Sequence, residues 1–452
     1  MKELAIGEYR MEQIESVGET NEKKHYKFYF AIGIFSFGYN FITTAEYVHF
    51  QDIMDIGFGN DLFISILFAS ALASLCLGAI FGGIINDSMR TKYGQRAPAI
   101  FAGSLITMFL FFIIPIITEL ITNTQLAFGL LLSILIISHF SLGFAYSPWL
   151  ALFTDLVPDK KRFTAGVIVN ILSAIGAAIA VLFFSFLVDN GFSWIVWVVS
   201  ASVFGLSAFI TTILIPKTNP DESQKMKISD FWKIPKTIWQ FGGRDWILLL
   251  IIGGFWAFGS HLIETGLIDS LVKRFAVSEM IASLSTNILM GAIIAILLVP
   301  IIWGTNKIGK VRSGIITSII YGIFCVLLAL MPKFEWIYFI MILGGIGNIL
   351  LSTLQIVLPM NRVPKGKEAS FLGVFFIFGT VVKPFATMLQ GFIINGMEAN
   401  NEITIFGGYP WTFIIAGIII LFAILPLIFM KNKTDEKKNQ IKVGKEKEEI
   451  TL

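Results

Sequence analysis

The chain has 452 residues, 55% of them hydrophobic and only 14% charged, with a formal net charge of +3. An ordinary soluble domain carries about 25% charged residues, so a water-soluble globular fold is excluded. The 40 glycines and 43 phenylalanines suit helices that pack closely and face lipid, and Cys76 and Cys325 both fall in apolar runs, which argues against a disulfide framework or a cysteine metal site.

Residues 1–27 form a polar leader with glutamates at 3, 8, 12, 15, 19 and 22, unlike the short basic start of a signal peptide, so no cleavage is expected. Apolar stretches long enough to cross about 30 Å of hydrocarbon then follow at 28–50, 61–85, 98–118, 125–153, 166–188, 192–215, 246–270, 279–303, 314–331, 336–360, 369–395 and 409–430. The expected fold class is therefore an all-α membrane protein with twelve transmembrane helices. The loop 216–245, with Pro216, Pro220 and Pro235, divides a six-helix bundle at 28–215 from a second at 246–430, and 431–452 is a charged tail.

Charge assigns the sides. The two tails and the connections 86–97, 154–165, 216–245, 304–313 and 361–368 hold 30 of the 34 Lys and Arg residues, while Lys273, Arg274 and Lys333 lie on the other side and Lys383 within a span. By the positive-inside rule, both tails and the central loop are expected in the cytoplasm of a multi-pass cell-membrane protein.

The stretch FGGIINDSMRTKYGQRAP at 81–98 reads as a tight hairpin between spans 2 and 3, and IIWGTNKIGKVRSG at 301–314 repeats it after span 8. Two further echoes fall in matching places: the Val-Pro pairs at 157–158 and 363–364, and FGYN at 37–40 against FGSH at 258–261. Such duplication is a mark of secondary transporters, whose ligand sites lie between the repeats at mid-depth.

The pattern D-x-x-R-x-x-x-G-x-R, carried by Asp87, Arg90, Gly94 and Arg96, resembles the signature hairpin of the major facilitator superfamily, and two bundles of six helices agree with it. Within that superfamily, the FGYNF stretch, the hairpin and SPWLALFTDLVP at 147–158 are most similar to the glycoside-pentoside-hexuronide and sucrose cation symporters. An arginine of the sucrose branch is matched here by Leu150, so coupling through it does not transfer. The resemblance implies a cytoplasmic latch stabilising the outward-open state, with Asp87 near the start of span 11. Arg90 and Arg96 sit where they can reach carboxylates or helix C-termini, and either Asp155 or Arg162 can pair with the hairpin at Arg96. The counterparts in the second half are Asn361, Glu368 and Gly304, which predicts a weaker second latch.

Four ionisable groups fall at membrane depth: Glu46, His139, Glu264 and Lys383. A lysine at the bilayer centre costs about 3 kcal/mol unless it meets water or a partner, so Lys383 should face the bundle interior beside a carboxylate. Glu46 is the expected coupling carboxylate, with His49 one turn away as proton partner. Around these groups, Tyr39, Asn40, Thr43, Trp149, His261 and Gln355 are polar or aromatic groups able to hold a hydroxylated solute, with Asn40 and Trp149 favoured. Metal ligands and cofactors are not expected beyond a coupling ion, H+ or Na+.

The preferred function is cation-coupled symport of a small solute such as a sugar or glycoside by a monomer in the lipid bilayer. A proton-driven exporter of amphipathic compounds is the alternative, kept open by the many phenylalanines. A receptor or scaffold of the same fold would need more elaborate tails. An enzyme lacks a phosphate loop, zinc spacing or nucleophile, and the mixed-sign tail KEKEE at 445–449 argues against nucleic acid.

Overall fold

The structure, a computed structural model, describes residues 27–46, 61–158, 160–217, 243–363, 367–398 and 408–430. Both polar tails, His49 and most of the 216–245 loop lie outside the described residues. The described chain is helical throughout: α1 Lys27–Glu46, α2 Asp61–Ser88, α3 Ala97–Leu120, α4 Thr124–Leu156, α5 Arg162–Asp189 and α6 Ser193–Leu214 in the first half. The second half holds α7 Gly243–Phe275, α8 Glu279–Ile308, α9 Lys310–Leu330, α10 Ile337–Met360, α11 Glu368–Glu398, α12 Gly408–Phe422 and α13 Ile424–Phe429. Eleven helical segments among the described residues are long and apolar enough to cross a membrane. The expected eighth span, 279–303, corresponds to the 30-residue α8.

Sequence chemistry sets the boundaries. Pro98 opens α3, where its missing N–H costs nothing. The last expected span breaks at Ala423 into α12 and α13, three residues before Pro426, whose ring cannot accept a continuous helix. The two hairpins differ more than their sequences suggest. Between α2 and α3 there is a true turn, closed by Gly94 at φ 94°, whose N–H donates to the Thr91 carbonyl at 3.0 Å. The expected turn at 304–313 is instead almost wholly helical. Gly309 alone, at φ 96°, separates α8 from α9. A single residue in the left-handed region suffices to redirect the chain, and glycine takes that conformation without steric cost.

Helices of the first half approach closely through glycine. An added Cβ would lie 2.0 Å from the Phe140 carbonyl oxygen at Gly78, 2.3 Å from the Phe144 oxygen at Gly82, and 2.1 Å from the Leu75 oxygen at Gly143. Gly78 and Gly82 are the small residues of a GxxxG stripe on α2. Pro148 adds to the contact, since its missing N–H frees the Phe144 carbonyl four residues earlier, at the point where α2 packs.

Two large apolar cores correspond to the two halves, and each borrows from the other at one end only. Ile84, Phe163 and Val167 join the core of the second half, while Met360 and Leu372 join that of the first. All five lie near the charged turns. A smaller cluster at the opposite end, Phe41, Ala45, Ala180, Phe184, Leu187 and Val196, draws on the first half alone.

Candidate functional site

At the charged-turn end, Arg96 is 1% exposed and gathers three carboxylates. Its Nη1 donates to Asp87 Oδ1 at 2.7 Å and Asn86 Oδ1 at 2.6 Å, its Nε to Asp155 Oδ2 at 2.7 Å, and its Nη2 to Glu368 Oε2 at 3.4 Å. Burial works against the arginine charge, but Asp155 and Asp87 outweigh it and hold the Arg96 pKa above its ordinary value. Asp87 is itself fully buried and turns its other face to the second half. It accepts from the Ser370 amide at 2.8 Å, the Ser370 hydroxyl at 2.7 Å and the Ala369 amide at 3.4 Å. Those amides are the free donors at the start of α11, so a negative charge sits on the positive end of a helix dipole.

Arg162 makes the opposite contact. It does not pair with Arg96, as two guanidinium groups would repel. Its Nη1 donates to the Met360 carbonyl at 3.1 Å and to Asn361 Oδ1 at 3.3 Å, while Nη2 and Nε hold Thr154 and Val157 carbonyls. A positive charge therefore caps the C-terminal end of α10. Of the two residues expected to reach Arg96, only Asp155 does. Arg90 stays local, donating to the Met89 and Asp87 carbonyls at 2.7 and 3.3 Å. The second-half counterparts Asn361 and Glu368 are bound to Arg162 and Arg96, and Gly304 has nothing within 4 Å of an added Cβ. The sequence reading missed Ser370 and Asn86, and it expected Arg90 and Arg96, where the structure has Arg162, to meet a helix C-terminus. Serine two residues into a helix that follows a charged turn was the available signal.

Farther along the first half, Glu46 and His139 lie together, 4% and 6% exposed, with Oε1 and Nε2 3.1 Å apart. The partner of Glu46 in the structure is thus His139 of α4, while His49 lies outside the described residues. His139 Nδ1 stands 3.0 Å from the Leu135 carbonyl, which can only accept, so Nδ1 carries a hydrogen and Nε2 is the position open to a second proton. That position faces the carboxylate. The contact is close without hydrogen-bond alignment, and among the described residues Glu46 Oε1 has no hydrogen-bond partner.

In the second half, His261 Nδ1 lies 3.7 Å from Glu264 Oε2 and its Nε2 3.1 Å from the Thr387 hydroxyl. Lys383 acts electrostatically on both Glu264 and His261. Thr387 is four residues beyond Lys383, a spacing that could have announced it.

Between the two clusters the halves meet through aromatic rings. Tyr39 lies 4.9 Å from Tyr146, and Tyr146 lies 4.4 Å from Phe376 of α11. Trp149, expected as a solute contact, is 1% exposed, stacks on Phe35 and donates its indole N–H to the Ile32 carbonyl at 2.9 Å. In this conformation it belongs to the α1–α4 core, because an indole this deep needs an acceptor and finds one in the backbone. Asn40 donates to the Ser36 carbonyl at 3.1 Å and to the Ser173 hydroxyl, and Thr43 donates back to the Tyr39 carbonyl. Gln355 keeps a buried Nε2 without a hydrogen-bond partner among the described residues.

Buried charges thus join two helical halves across their ends, with ionisable pairs at membrane depth beyond the junction. The model of the Major Facilitator Superfamily matches residues 28–387, and the chain belongs to that family. It is a multi-pass membrane transporter, not an enzyme. A similar solved structure is that of the human organic anion transporter MFSD10 (TETRAN), with a TM-score of 0.71 and 11% identity, covering 89% of this chain and 99% of that one. Another is the E. coli fucose:proton symporter FucP, at 0.61 and 14%, covering 89% and 98%. The gentisate transporter of Corynebacterium glutamicum is 29% identical over 106 residues, 23% of this chain and 24% of that protein. The chain thus matches about a quarter of that relative's length.

Proposed function

We propose that the protein is a proton-coupled symporter of a small hydroxylated solute such as a sugar or glycoside, with twelve spans in two bundles and both tails in the cytoplasm. The finer resemblance to the glycoside and sucrose symporters belongs to the same proposal. The observation that carries it is the buried Glu46–His139 pair. Its Nε2 to Oε1 contact of 3.1 Å is a place where one proton can be held between a carboxylate and an imidazole. Such a site binds a proton from one side and releases it to the other once the bundle turns over.

The conformation corresponds to the outward-facing state. With the charged turns placed in the cytoplasm, Arg96, Asp87 and Arg162 close the inner end, and the Tyr146–Phe376 contact forms a layer above them. Proton and solute bind from outside, the helix-end contacts break, and the inner end opens. FucP, a fucose:proton symporter by name, supports this reading. The exporter alternative would run the same pair in the opposite sense, and the polar His261, Glu264 and Thr387 favour the hydroxylated cargo.

The test is uptake of a labelled sugar panel into proteoliposomes, with pH and sodium gradients imposed separately. A pH gradient should drive accumulation by the wild type. Glu46→Gln should abolish accumulation while leaving exchange of solute down its own gradient. Accumulation driven by sodium alone, or a Glu46→Gln protein that still concentrates solute, overturns the assignment.

A further inference from the structure

The inner face of α11 is fixed by its outer one. Phe378, Val381, Phe385, Met388 and Phe392 are 44–79% exposed and repeat every three or four residues, which makes them the lipid stripe. Lys383 is two residues from both Val381 and Phe385. At about 100° per residue it projects from the opposite side, and so does Thr387, two residues beyond Phe385. Phe376, on that same inner face, touches Tyr146 of the first half at 4.4 Å. Thr387 is nevertheless exposed. A residue turned away from lipid is exposed only where the neighbouring helices leave space beside it, three turns beyond the contact at Phe376. Glu264 projects into this region with its side chain 57% exposed, and buried His261 lies between Glu264 and Thr387.

The chemistry of this cluster is specific. The single Thr387 hydroxyl hydrogen is shared between the Lys383 carbonyl at 3.3 Å and His261 Nε2 at 3.1 Å; when it turns to Nε2, the imidazole hydrogen sits on Nδ1 toward the Glu264 carboxylate, the tautomer the negative charge favours. Glu264 then offers acceptors only, Lys383 donors only, and Thr387, its one hydrogen engaged, an acceptor. The charges of Glu264 and Lys383 cancel. An added carboxylate would gain near Lys383 and lose near Glu264, and an added ammonium the reverse. A pair of adjacent hydroxyls uses both, donating to Glu264 and accepting from Lys383, with no net charge to desolvate.

Resting on the symport reading, we infer that Glu264, Lys383 and Thr387 hold a vicinal diol of an uncharged solute, with His261 as the positioning residue, apart from the Glu46–His139 proton site. The cargo is accordingly a neutral polyol or glycoside and not an organic acid.

Equilibrium binding to the purified full chain in lipid nanodiscs tests this at one pH and with no gradient, so it reads the solute site whether or not Glu46 couples a proton. The probes are a panel of neutral methyl glycosides and the matching uronates. Wild type should bind at least one neutral member at least tenfold tighter than its uronate. Glu264→Gln should weaken neutral binding by about tenfold or more, the loss of a charged acceptor, and narrow the preference over the uronate, since Lys383 is then unbalanced. Thr387→Val should weaken neutral binding about tenfold, while Thr387→Ser, which keeps the hydroxyl against His261, should retain it. Wild type binding no neutral member, or preferring the uronates, overturns the inference. So does unchanged neutral binding in Thr387→Val. Failure of pH-driven accumulation with these binding results intact would instead sink the coupling reading alone.

Discussion

Replacing Asp87 by asparagine keeps the shape of a fully buried side chain and removes its charge, which makes it the sharpest probe of how the inner end stays shut. Asp87 accepts from the Ser370 amide at 2.8 Å, the Ser370 hydroxyl at 2.7 Å and Arg96 at 2.7 Å. Hydrogen bonds to a charged group contribute about 1.5–3 kcal/mol, and a carboxylate at a helix N-terminus about 0.3–1 kcal/mol more. Asp155 and Glu368 remain to balance Arg96, so the guanidinium is not left alone. The closed state should therefore lose about 2–4 kcal/mol relative to the open one, a shift of roughly 30- to 700-fold in their ratio at about 1.4 kcal/mol per factor of ten. A protein almost wholly closed at this end becomes a mixture or mostly open. Paired spin labels at Tyr93 and Asn306, both exposed on the rims of opposite halves, should gain a longer-distance population in the mutant. Cys76 and Cys325 are buried, which keeps background labelling low. A distance distribution identical to wild type would refute the latch.

Two further predictions concern packing and topology. Gly143→Val should cost at least the ~1–3 kcal/mol of an overpacked core and reduce folded yield by size exclusion, because its Cβ meets the Leu75 backbone at 2.1 Å, whereas Gly129→Ala, with nothing within 4 Å, should be neutral. Cysteines placed in the 216–245 loop should react with an impermeant maleimide only after permeabilisation; labelling of intact cells would contradict the proposed sidedness.

Asp87 shows what was legible in the chain and why. An acid in a turn otherwise filled with arginine and lysine contradicts plain charge topology, which marked Asp87 out, while its contact to the start of α11 was implied only by the resemblance to the major facilitator hairpin. The Glu46–His139 pair was half legible: each residue is conspicuous in an apolar helix, but they are 93 positions apart, and helical spacing pointed to the nearer His49. Trp149 illustrates the opposite difficulty. Tyr146 and Ser147 precede it in an otherwise apolar run, and which face of α4 turns inward depends on how closely α1 and α2 approach, which is set by glycines and by a proline-freed carbonyl. The 304–313 stretch misled for a local reason. Its polar residues continue a helix readily, and only Gly309 marks the joint.

The asymmetry of the inner end follows from the same contacts. Among the described residues the second half pairs Arg362 with Asp245 at 3.3 Å within itself, while Asn361 serves Arg162, Glu368 serves Arg96, and the place of Asp87 is taken by Gly304. What it contributes instead is two helix ends, the start of α11 to a buried carboxylate and the end of α10 to a buried guanidinium. Each charge meets the pole of opposite sign, and each pole carries only about half an elementary charge. When the halves part, water replaces these contacts at the amides and carbonyls, so the difference between closed and open is a few kcal/mol and not the far larger cost of stranding an ion in the membrane. A gate of that depth is within range of what binding one proton and one solute can supply, and with Glu46 and Lys383 on opposite halves, loading both sites bears on the equilibrium that the helix ends hold.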